Sequence, residues 1–109
     1  MLEAPIQAQI LNFLAVLEMQ GKVYFYRSQS GAVKIQRGTN SSGYMKTGKA
    51  GCPDITVCYK SHFVGIEVKS TTGKQSQTQK EAQTKIEKNG GIYILANSFQ
   101  EFQKQFLQI

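Results

Sequence analysis

A chain of 109 residues, 40% of them hydrophobic, is long enough for one domain with its own core and too apolar to be read as disordered. No apolar run approaches the roughly 20 residues that span a bilayer, and no basic segment followed by an apolar one marks a secretory leader near Met1, so a cytosolic protein without a membrane partner is expected. The net charge of +6 turns attention to polyanions such as nucleic acid, although basicity can also serve solubility alone.

Residues 3–20 read as an amphipathic helix: Ile6, Ile10, Phe13 and Leu17 fall at i, i+4, i+7 and i+11, with Leu14 beside them. Pro5 suits the first turn, and Gly21 is placed to stop the helix. Residues 23–27 (Val-Tyr-Phe-Tyr-Arg) read as a strand, extended by residues 32–36 after a turn at Gly31. Residues 37–51 carry four glycines and little to bury, so they read as a long loop. Its Arg37, Lys46 and Lys49, with Tyr44 among them, suit phosphate contacts and base stacking, and equally suit a merely solvated loop.

Residues 54–59 and 63–69 are both rich in β-branched and aromatic side chains, with Lys60-Ser61-His62 between them. That is the pattern of a hairpin turning near Lys60 and Ser61. Cys58 reads as a small buried core residue. Cys52, Cys58 and His62 are too few for a zinc signature, and a cytosolic setting argues against a disulfide. After a polar connector, Ser76 is placed to cap a helix over residues 77–88, whose few apolar positions include Ala82 and Ile86. Asn89-Gly90-Gly91 ends it, and residues 92–96 read as a buried strand. Ser98 caps a last helix over 99–107, with Phe99, Phe102, Phe106 and Leu107 on one side. The order is αβββαβα. It predicts a single α/β domain over residues 1–109, one sheet with helices on both faces.

The hairpin concentrates chemistry. A turn at Lys60-Ser61 brings Asp54 level with Glu67, while Glu67 and Lys69, two apart, share a face; Val64, Ile66 and Val68 then face the core. Two carboxylates with one lysine between them repel each other, and a divalent cation relieves that repulsion. A surface ion-pair cluster is the plainer alternative.

Pro53-Asp54 and Glu67-Val68-Lys69 have the form PD and ExK, Gly51 to Asp54 the form G-x-P-D, and Gly73 to Gln79 the form G-K-x-S-x-x-Q. With these motifs, and Glu3 near the chain start, the whole chain resembles the PD-(D/E)XK nuclease superfamily, and within it the small stand-alone VRR-NUC nucleases of phages and bacteria. The resemblance implies a restriction-endonuclease-like core with a mixed sheet. It also implies Mg²⁺ or Mn²⁺ on Asp54 and Glu67, with the Val68 carbonyl as a further ligand and Glu3 reaching the ion directly, through water, or by way of a second ion. Lys69 would orient the attacking water and offset negative charge on the phosphate. Gln79 would hold that water or a phosphate oxygen. Lys74, Ser76 and the start of the helix would grip the DNA backbone, with Lys80 continuing a basic strip. Ser76 has a capping role open to it, and Glu3 is favoured in a first helical turn on dipole grounds alone.

The activity so implied is a metal-dependent endonuclease that cuts branched DNA, such as four-way (Holliday) junctions, as a homodimer in a bacterial cytoplasm. A helicase or recombination partner is left open. A non-catalytic nucleic-acid-binding module on the same fold, or a nuclease for linear or flap DNA, are the alternatives. Exposed apolar parts of the first or last helix are the expected dimer contacts.

Overall fold

The computed structural model describes residues 2–28, 31–36, 38 and 42–109, and side chains outside 31–37, 42 and 44–47. Helix α1 (Glu3–Met19) buries Ile6, Ile10 and Leu14, the i, i+4, i+8 stripe that its sequence offers. It stops at Gly21, whose N–H reaches the Glu18 carbonyl at 2.9 Å while that of Lys22 reaches Leu17 at 2.9 Å. Strand β1 (Val23–Arg27) follows.

Strands β2 (Gly31–Gln36) and β3 (Ser42–Thr47) pair antiparallel as a two-stranded sheet of their own. This corrects two expectations. Residues 32–36 do not extend β1, and the stretch read as one long loop contains a strand. Pairing with β2 supplies the hydrogen bonds that the local composition, with Gly43 in the strand, does not advertise.

Strand β4 (Ile55–Tyr59), strand β5 (His62–Val68), helix α2 (Gln77–Lys88), strand β6 (Ile92–Ala96) and helix α3 (Phe99–Phe106) complete the chain. The main sheet has the order β1-β4-β5-β6; it is antiparallel up to β5, and β6 runs parallel to β5. A parallel pair needs a crossover, and α2 provides it. The β4–β5 hairpin turns on Lys60 and Ser61 (φ 51° and 66°), with Tyr59 paired to His62. Two consecutive positive φ values make this a type I′ turn, formed without the usual Asn-Gly.

Alternation assigns the two faces. Ile55, Val57, Val64, Ile66, Val68, Ile94 and Ala96 join α1 and α3 in the core, where Phe102 and Phe106 are fully buried. Phe13 meets Phe99, Phe102 and Phe106 edge-on at 5.7 to 5.9 Å, and Tyr59 stacks on Phe106 at 4.5 Å. The opposite face carries Asp54, Thr56, Cys58, Gly65, Glu67 and Tyr93, and α2 packs there through Ile86 and Gln79. Two local expectations fail. Cys58 is exposed, because its strand position turns it to the α2 face beyond the reach of the helix. Leu107 is 63% exposed, because α3 ends at Phe106 and Leu107 is its C-cap.

Candidate functional site

The ladder between β4 and β5 ends at Ile55–Ile66, so Asp54 comes one step later, alongside Glu67. Asp54 completes the pairing with its side chain: Oδ2 accepts the Val68 N–H at 2.7 Å. Its main-chain carbonyl accepts the Ser28 N–H at 2.8 Å, and the Ser28 hydroxyl lies 2.6 Å from that of Thr56. Asp54 is therefore clamped from both neighbouring strands.

Two glycines explain why the segment before Asp54 can sit so close. Gly51 has φ +74°, and a Cβ there would lie 2.4 Å from the Thr78 carbonyl oxygen at the start of α2. A Cβ at Gly65 would lie 2.6 Å from Cγ of the buried Pro53. Pro53 thus seats over bare backbone in β5, and Asp54 is delivered to the end of the sheet.

Glu67 is 1% exposed, the one buried charged residue among those described. Its Oε2 accepts from Gln79 Nε2 at 3.1 Å and lies 3.8 Å from Lys69 Nζ. Its Oε1 is buried with no hydrogen-bond partner among the described residues. Burial above all, then the carboxyl of Asp54 beside it, push the Glu67 carboxyl up to about 8; Lys69 opposes this, and Glu3 adds a small further rise.

Gln79 is held at both ends of its amide. Oε1 accepts the Ser76 N–H at 2.8 Å while Nε2 serves Glu67. Ser76 Oγ accepts the Gln79 N–H at 3.3 Å, which completes a capping box at the start of α2. Behind this turn, Gln75 Nε2 donates to the Tyr93 hydroxyl and to Gln83 Oε1, each at 3.0 Å. Burial, ahead of an opposing hydrogen bond from Gln75, pushes the Tyr93 phenol up to about 12. Ser28, Gln75 and Tyr93 were not singled out from the sequence. Only the alternation of residues 92–96 hints at Tyr93, by turning it away from Ile92 and Ile94.

The structure thus brings together Asp54, Glu67, Lys69 and Gln79, with Val68 tied in through its amide. Glu3 begins α1, exposed, and reaches Glu67 only through its charge. Among the described residues no three of His, Cys, Asp and Glu cluster closely enough to cage a metal. Lys74 and Lys80 flank the start of α2, exposed, and Lys49 is exposed before Gly51. Lys46 lies in β3 with its side chain outside the described part, and Arg37 lies outside the described residues altogether.

Two carboxylates and an unpartnered buried oxygen fit a hard divalent cation. Mg²⁺ commonly takes one or two carboxylates and keeps its remaining waters, so a third acidic ligand is not required.

No family model matches this chain. No curated protein matches it either. No helix among the described residues is long and apolar enough to cross a membrane.

Proposed function

We propose that this chain is a metal-dependent DNA endonuclease of the VRR-NUC type, within the PD-(D/E)XK superfamily, that cuts branched DNA as a homodimer. The observation that carries the reading is the buried Glu67, with one oxygen unpartnered, beside Asp54, Lys69 and Gln79 at one end of the sheet. With the β2–β3 pair set aside, the remaining elements follow the order αβββαβα, which supports the same reading.

Asp54 and Glu67 would hold Mg²⁺ or Mn²⁺, with the Val68 carbonyl and, through water, Glu3 in support. Such an ion supplies Lewis-acid stabilisation of phosphodiester charge and makes a bound water more acidic. Lys69, 15% exposed, brings a cation to the edge of the carboxylate pair, where negative charge grows on a phosphate in the transition state. Gln79 fixes which Glu67 oxygen is occupied and leaves Oε1 open. Lys74, Lys80 and the first turn of α2 offer donors to the DNA backbone. Contacts of this kind read shape rather than sequence, which suits a single small domain cutting branched substrates. Val16 and Met19, 53% and 88% exposed on α1, are the apolar side chains available for pairing two copies there.

The test is cleavage of a labelled four-way junction and of linear duplex with the same arms, in Mn²⁺, Mg²⁺ or EDTA, with Asp54→Asn in parallel. Paired, metal-dependent cuts on the junction, reduced at least a hundredfold in the variant, are expected. Equal cutting of the duplex removes the branch preference. No cutting by folded wild-type protein in either metal overturns the nuclease reading in favour of a binding module.

A further inference from the structure

We infer that the part of the sheet left uncovered by α2 is a stacking platform for unpaired nucleotides of a DNA strand leading to the site. This rests on the DNA-nuclease reading for the identity of the strand. The register lays out the face in rows: Tyr24 beside Cys58 and Phe63, then Tyr26 beside Thr56 and Gly65, then Ser28 beside Asp54 and Glu67. The carboxylate pair therefore terminates a surface whose two preceding rows are aromatic.

Tyr24, Tyr26 and Phe63 are 68%, 52% and 48% exposed, and no other aromatic side chain among the described residues is as exposed. All three lie on this one face. The Tyr24 and Tyr26 rings are 6.4 Å apart and tilted by 55°, so neither covers the other and each keeps a face open. Nothing in the core requires them there, and exposed aromatic rings on a sheet are what unpaired bases stack on.

Beside Tyr26 the surface deepens into a groove of about 600 Å³, bounded by α2 and by the segment around Pro53. Pro53 precedes Asp54 and Thr78 precedes Gln79, so the walls of the groove run directly into the site. Lys49 and Lys85 line it, against the single carboxylate of Glu81. Two lysines beside aromatic rings, on a chain of net charge +6, complement a phosphate backbone. The same charges oppose a second copy of the chain, because a two-fold contact through this face would set like charges together.

The test uses the full chain in EDTA, so that it needs no cutting. A single-stranded DNA oligonucleotide carries 2-aminopurine, whose fluorescence is quenched when it stacks. Wild-type protein should quench it. Tyr26→Ala should bind roughly tenfold more weakly and lose much of the quenching, whereas Tyr26→Phe should keep both. Lys49→Ala should reduce the salt dependence of binding by about 0.7 in log–log slope and leave the quenching at saturation intact. Thermal unfolding of each variant checks the fold. Unchanged binding and quenching in Tyr26→Ala would overturn the inference, as would equal losses in Tyr26→Phe. Dissociation of a dimer by Tyr26→Ala at unchanged DNA affinity would instead make the face a contact between copies. A protein that cuts junctions yet fails this test keeps its nuclease function without the platform.

Discussion

At the scale of single residues, Glu67 is where folding and chemistry conflict. Its carboxyl rises from an ordinary value of 4.5 to about 8, so the folded protein prefers it protonated. The corresponding stability is fully present below pH 4.5 and is lost as pH rises through 8. In EDTA, the unfolding free energy from urea denaturation should therefore fall across that window, by about 5 kcal/mol in all. Glu67→Gln should flatten the profile and leave the metal-free protein more stable than wild type at pH 8. Because a cation needs the carboxylate, calorimetric Mn²⁺ affinity should fall as pH drops below 8, with proton release on binding. Gly51→Ala should cost about 2–4 kcal/mol, because it combines a positive φ with a backbone clash at Thr78; urea denaturation checks it. Asp54, Glu67 and Lys69 were legible in the sequence because strand periodicity and a short turn fix their relative positions. Cys58 was misread because alternation gives a face but not what covers that face. The network of Gln75, Tyr93 and Gln83 was invisible, since it joins a connector, a helix and a strand through side chains that look unremarkable alone.

At the scale of elements, the β4–β5 hairpin holds its register with two non-glycine residues at positive φ. Lys60 is compensated: its Nζ donates to the Ile109 carbonyl at 3.1 Å and lies 5.2 Å from the centroid of the Tyr59 ring. Among the described residues no such contact relieves Ser61. Ser61→Gly should therefore raise stability by about 1 kcal/mol, read as a shifted denaturant midpoint at unchanged slope. Helices α1, α2 and α3 were foreseen to within a residue or two, because their apolar spacing and caps are local signals. Strand β3 was missed because its warrant is its partner, β2, and not its own composition.

At the scale of the whole molecule, the main sheet is fastened by helices on both faces, whereas β2 and β3 form a sheet of only two strands. Two strands alone are marginally stable in water. Backbone amides of Gly31–Gln36 and Ser42–Thr47 should exchange with deuterium at least tenfold faster than those of Val64–Val68, measured by hydrogen-exchange NMR. The chain order of the main elements was readable, but not the membership of each strand in one sheet or the other, because pairing is a long-range choice. One further consequence follows from the turn at Lys60-Ser61. It divides Asp54 from Glu67, so a chain opened at that bond would yield two pieces, each with one member of the carboxylate pair, and with β4 and β5 on opposite pieces. Neither piece could assemble the sheet's central seam by itself. Recovery of metal binding on mixing residues 1–60 with 61–109 would then report the rejoining of the two halves, and the hairpin would become the natural place to split this protein into a complementation sensor.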